Sequence, residues 1–327
     1  MLERPAARTI APRSRRATAA SKIIERARGV HSNIGAVPKG GIDDPASYCE
    51  EYVRKHDYEG YLTSPFYPGE AQKGFLALKA FSVELANVQE AVSNPMIGKM
   101  RMQFWRDAVK NLTEGRPPQH PIALALHDAS RRANLAPYHL KRIIDARDSE
   151  LDNPTHLTLD SLTSHAEATS STLFYLLLSL LRLSSNDDLA HAASHLGAAQ
   201  TIAVLLRALP YHASKKHAVI PAEITARHGV SQEDVFRRGP AAKGLEDAVF
   251  EFATAANDHL LAARDMFGRA DAQARKEAMP LFLGGVPIAS YLSRLEAVNF
   301  NPFDPSLQRR HWKLPWNVWR GYFKKAF

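Results

Sequence analysis

The stretch from Gly197 to Pro221, GAAQTIAVLLRALPYHASKKHAVIP, constrains the fold most. Ala198, Ala199, Ile202, Ala203, Leu205, Leu206 and Leu209 recur at helical spacing and cover a wide arc. A helix that apolar must lie deep among other helices. Arg207 stands among these residues, and a guanidinium there needs an anionic or hydrogen-bonded partner. A short basic link follows, and Ile220-Pro221 closes the element.

The rest of the chain has the same periodicity. Helices are predicted over 46–56, 70–92, 96–112, 121–133 and 137–151, with a Pro-interrupted connection at 61–68. Residues 159–183 read as two helical pieces or one bent helix. Asp187 is expected to cap the helix that runs through His191 and His195 into the central stretch. A short helix at 221–229, a capping sequence at Ser231, a long helix at 241–267 and a broken one at 272–296 complete the pattern. No alternating strand pattern and no internal repeat is present, so the fold class is all-α, a single-domain helical bundle. The longest apolar run, Leu173 to Leu183, is interrupted by Ser179 and Arg182 and is too short to span a bilayer.

Charge is distributed unevenly. The net charge is +8, but residues 1–40 carry nine Lys/Arg against Glu3 and Glu25, and residues 306–327 carry six Lys/Arg and no acid. The body between them is therefore acidic by about five charges, which argues against a nucleic-acid-binding core. The Arg-, Ala- and Ser-rich, acid-poor start has the composition of a mitochondrial transit peptide, the alternative being a disordered basic tail. The lone Cys49 fits a reducing compartment.

Two segments carry a resemblance. Pro68 to Glu90, PGEAQKGFLALKAFSVELANVQE, resembles the first acidic helix of the squalene/phytoene synthase family, and the central stretch resembles its second. Trp105 to Val109, Gly115 to Pro117, His120 to Leu126 and Ile143 to Asp152 are similar to the family in the same order. The resemblance implies an isoprenoid-synthase fold over 46–305. In these enzymes, acidic clusters on two facing helices hold magnesium, which neutralises the departing diphosphate of a prenyl substrate. At the matching positions the acids are largely gone. Glu84 matches an acid, but the acidic pair falls on Ala86 and Asn87, leaving Glu90. In the second cluster Arg207 is kept, but the acids fall on Ala208, Tyr211 and His212. The resemblance therefore implies a fold without its catalysis, no metal and no cofactor.

DYEGYL (57–62), IGKMRMQFW (97–105), ASHLGAAQ (193–200), LRALPYHAS (206–214) and DPSLQ (304–308) are similar to one mitochondrial subgroup of this family, whose members serve in assembly of respiratory complex I. That implies early complex I assembly intermediates as partners, and a place on the matrix side of the inner membrane. The alternatives are a prenyl transferase with relocated acids and a carrier of prenyl or phospholipid tails.

Further expectations follow from the residues. Arg207, His212, Lys215 and Lys216 form a candidate anion or lipid-headgroup site, or else the cavity is filled by side chains. Glu84 and Arg207 are a candidate buried pair across it, the alternative being that they do not meet. His191 and His195, four apart, read as polar packing rather than metal ligands, and Asp148, Glu150 and Asp152 as a solvated helix end. Trp312, Trp316, Trp319 and Phe323, interleaved with Lys and Arg, form a candidate contact with an anionic membrane, the alternative being that they pack back on the body.

Overall fold

The computed structural model describes residues 44–92 and 94–327. The proposed leader at 1–40 lies outside the described residues. Fifteen α-helices occur among the described residues, and no strand.

The first helices are set by caps and prolines. α1 (Pro45–His56) starts with Pro at its first position and with the Asp44 carboxylate accepting from the backbone N–H groups of Ala46 and Ser47. The connection expected at 61–68 is instead a helix, α2 (Tyr58–Thr63), followed by a 3-10 turn at Ser64–Phe66. The reason lies upstream of the proline: Asp57 accepts the Gly60 N–H at 2.9 Å and nucleates a turn before Pro65 can break it. α3 (Gly69–Ala91), α4 (Pro95–Thr113, capped by Asn94), α5 (Pro121–Arg132) and α6 (Pro137–Asp152) follow close to the predicted bounds.

The segment read as one bent or two straight helices is α7 (Leu159–Ala166), a π-helical turn (Glu167–Ser171) and α8 (Thr172–Leu180). The wider turn accommodates the close approach of α9 (Asp187–Ser214). A Cβ on Gly197 would lie 2.5 Å from the Ser171 backbone nitrogen. Asn186, not Asp187, caps α9 by accepting the Leu189 N–H. Asp187 and Asp188 then occupy the first turn, where the helix dipole favours negative charge. By length and composition α9 is the one helix among the described residues that could cross a membrane, yet it is the hub of the bundle. Leu196, Ala199, Ile202 and Leu206 are fully buried, and it packs along α12 and the π turn.

α10 (Ala222–Arg227), α11 (Gln232–Arg238), α12 (Leu245–Arg269), α13 (Ala272–Phe282) and α14 (Gly285–Glu296) complete the body. α12 begins at Leu245 rather than near 241, because Gly244 turns the chain with φ +75° against the His228 carbonyl. The break at Gly284-Gly285 falls where predicted.

α15 (Leu314–Lys324) belongs to the same compact unit. Leu314, Val318 and Gly321 face inward. Phe327 is buried against Phe267 and Phe282, and its carbonyl accepts from Arg264 Nε.

Candidate functional site

α3 and α9 face each other across a cavity of about 400 Å³. It brings together most of the residues singled out in the sequence. Ala86, Asn87 and Glu90 look from α3, and Arg207, Ala208 and His212 from α9. Tyr211 reaches the same place through its hydroxyl, which donates to Glu90 at 2.9 Å. Burial and this bond push the Tyr211 phenol up to about 12.

Three readings are corrected by the structure. Glu84 does not meet Arg207: it turns away toward α1, where it accepts the Tyr52 hydroxyl at 2.7 Å. Arg207 pairs instead with Glu59 of α2 at 2.5 Å. Lys215 and Lys216 are exposed past the end of α9 and line no part of the cavity, because the chain leaves the helix there with Lys216 at φ 60°. Lys215 lies over the Tyr211 ring at 6.0 Å. The acidic run of α6 is a solvated helix end only at Asp152, which is half exposed; Asp148 and Glu150 are part-buried. Asp148 binds Arg106 at 2.7 Å, Asp152 binds Lys99 at 2.9 Å, and Glu150 points into the cavity, bound by Arg147 at 2.7 Å. α6 lies between α4 and the cavity, so Asp148 and Asp152 meet α4 while Glu150, on the other side of the helix, meets the cavity, which spacing alone could not reveal.

The cavity also contains groups the sequence reading passed over. Lys79 is buried on α3 and binds Asp57 at 2.6 Å. Burial opposes the Asp57 charge, but the Lys79 ammonium and the Gly60 N–H outweigh it and hold the carboxyl below the usual range. Glu150 is depressed in the same way, by Arg147 and His165 against burial. His165 is pushed down to about 4 by burial and Arg147, despite Glu150 at 3.7 Å. A signal for Lys79 was present. It follows Phe75 by four residues, on a face that is otherwise apolar.

Four carboxylates line the cavity, and each is engaged: Asp57 by Lys79, Glu59 by Arg207, Glu90 by Tyr211 and Glu150 by Arg147. The face of α9 contributes no acid. A magnesium-diphosphate site needs carboxylate oxygens from both helices, and this donor set does not fit one. His195 meets His259 of α12, ring nitrogens 3.0 Å apart, while His191 is exposed.

The helical order and facing α3 and α9 around this cavity match a known architecture. Residues 53–320 match squalene/phytoene synthase. The chain belongs to the squalene/phytoene synthase family. Within the squalene/phytoene synthase family it is 41% identical over 304 residues to a Rattus norvegicus protein named NADH dehydrogenase (ubiquinone) complex I, assembly factor 6, covering 93% of this chain and 90% of the relative. The Mus musculus protein of the same name is 40% identical over 298 residues, covering 91% and 88%. A dehydrosqualene synthase crystal structure superposes with a TM-score of 0.73 at 17% identity, covering 86% of this chain and 97% of that one. At that identity the likeness is one of fold.

The C-terminal aromatics divide: Tyr322 packs on Phe66 and Phe327 is buried, but the other four do not pack back on the body. Trp312, Trp316, Trp319 and Phe323 are 81, 60, 45 and 64% exposed. Trp316 stacks on Trp319 at 4.8 Å, and Trp319 meets Phe323 at 4.7 Å. Trp316, Trp319 and Phe323 form one outward stripe on α15, Trp312 stands just before it, and Lys313, Arg320, Lys324 and Lys325 lie alongside in the chain.

Proposed function

We propose that this protein is a non-catalytic assembly factor for mitochondrial respiratory complex I. The observation that carries the reading is the state of the cavity carboxylates. All four are bound by the protein's own cations or phenol, and none comes from α9. A diphosphate cannot be drawn off by magnesium where no acids converge to hold the ion. The names of the relatives supply the process. The partners are early complex I assembly intermediates, and the place is the matrix face of the inner membrane. The protein rests there peripherally on the aromatic-basic face of α15, whose tryptophans suit the headgroup level of an anionic leaflet.

Deleting the gene should deplete assembled complex I on native gels while other respiratory complexes persist. Re-expression of the full chain and of Glu90→Gln should restore it equally, since Glu90 is the last carboxylate of α3 facing the cavity. Intact complex I after deletion would overturn the assembly role. Failure of a normally accumulating Glu90→Gln to restore it would overturn the non-catalytic reading.

A further inference from the structure

A second, smaller cleft of about 220 Å³ adjoins the main cavity. The two share His56, Asp57, Glu59, Arg207, Pro287 and Tyr291 in their walls. The turn between α1 and α2, Arg207 of α9 and one face of α14 therefore form a common partition. The smaller cleft is basic. Arg207, Arg294, Arg309 and Arg310 stand against Asp57 and Glu59; Asp57 is neutralised by Lys79 and Glu59 by Arg207, so the excess positive charge comes from Arg294, Arg309 and Arg310. Arg294 is fixed by donating to the Ser306 carbonyl and, at 3.5 Å, to that of Arg309, and Arg310 stacks over Tyr58 at 4.3 Å.

The partition holds an unsatisfied donor. Tyr291 is only 5% exposed, and its buried hydroxyl has no hydrogen-bond partner. Burial raises the phenol well above its ordinary value, against the pull of Arg207 and Arg294, so it stays protonated and can donate. A buried hydroxyl left unpaired is costly, and one flanked by guanidinium groups suits an oxyanion. On the far side of the partition the wall becomes apolar, with Phe75, Leu173, Phe174, Val204, Leu281 and Ile288. On the near side Leu314, the first residue of α15, lines the cleft between the exposed Trp312 and Trp316.

We infer that this junction is a binding site for an anionic glycerophospholipid: the phosphate accepts from Tyr291 between Arg207 and Arg294, and one acyl chain occupies the main cavity. The volume of that cavity is in the range of ligand pockets. The second chain stays with the bilayer beside α15. The headgroup is thus held by protein donors alone, at the mouth, away from the positions on α3 where the family's acids would stand. The inference rests on the non-catalytic reading of the cavity.

The test uses the full chain and a soluble short-chain phosphatidylglycerol, with inorganic phosphate and a diacylglycerol of the same chain length as controls, read by calorimetric titration. The phosphatidylglycerol should bind, and Tyr291→Phe should weaken it about tenfold or more, the loss of a hydrogen bond to a charged group. The unliganded variant should unfold no earlier than wild type, because the lost hydroxyl was unpaired. Arg309→Gln, at an exposed position, provides a second variant and should weaken binding about threefold. Equal affinity in wild type and Tyr291→Phe, or no binding, overturns the site. Phosphate binding as tightly as the lipid overturns the lipid class, and diacylglycerol binding as tightly overturns the headgroup assignment. Failure of the lipid site alone shows in the titration, as equal affinity of wild type and Tyr291→Phe for the phosphatidylglycerol, while gene deletion still depletes complex I. A failure of the assembly reading would instead show as intact complex I after gene deletion.

Discussion

The cavity wall and the outer face of α15 depart from the ordinary distribution of residues in opposite senses. The cavity buries Lys79 and partly buries Asp57, Glu150 and Arg147, whereas α15 exposes three aromatic side chains and Trp312 stands out just before it. The difference lies in where the partners are. Inside, the charges find each other within the chain, so the polar interior is self-contained and offers little to an incoming cation. Outside, Trp316, Trp319 and Phe323 touch mainly one another, and the apolar area they present calls for a surface beyond the chain.

The largest effect should come from breaking an interior pair. Lys79→Met leaves Asp57 charged and poorly solvated, and should cost about 3 to 5 kcal/mol of stability in urea denaturation. Adding Asp57→Asn should recover most of that loss. A single variant as stable as wild type would remove the claim that interior charges depend on internal partners.

A somewhat smaller effect follows from His165. Its folded value of about 4 lies below the ordinary imidazole value of 6.5. Between those two values the unfolded chain binds a proton that the folded protein does not. Stability therefore falls as pH drops through that window, by on the order of 3 kcal/mol for this group, and the contribution levels off below about pH 4. Asp57 and Glu150 extend the acid limb below the ordinary carboxylate range, where protonation breaks their pairs. His165→Gln should flatten the curve of stability against pH between the two imidazole values. An unchanged slope would mean that His165 is solvated in the folded protein.

The smallest effect on stability, and the largest on location, belongs to α15. Trp316→Ala, Trp319→Ala and Phe323→Ala together should change stability by no more than about 1 kcal/mol, since the side chains are exposed. The same variant should lose flotation with anionic phosphatidylcholine–phosphatidylglycerol vesicles. Retained flotation would move the membrane contact elsewhere, and a large stability loss would mean that the stripe is structural.

Much of the site was legible in the chain. Ala86, Asn87, Ala208 and His212 line the cavity as their match to the family implied, because helical spacing fixes which residues share a face. The pairings were not legible. Glu84 sits two positions from Ala86 and so points well round the helix, to Tyr52 rather than Arg207. Arg207 and Lys79 reach Glu59 and Asp57 because the chain turns into α2 just ahead of the connection expected at 61–68, at residues to which the spacing assigned no element. Tyr291 carries no distinguishing signal in the chain. Nothing in its neighbours along the chain shows that its hydroxyl ends without a partner between two clefts.

Sequence by itself determined the all-helical class, the central burial of the stretch beginning at Gly197, and the absence of acids from the cavity face of its helix, since periodicity and residue identity are local properties. Tertiary structure decided which charges neutralise one another and which aromatics remain outside. Those outcomes depend on distances between helices far apart in the chain. Electrostatic pairing and solvent exposure change over a few ångströms that no spacing along a sequence records.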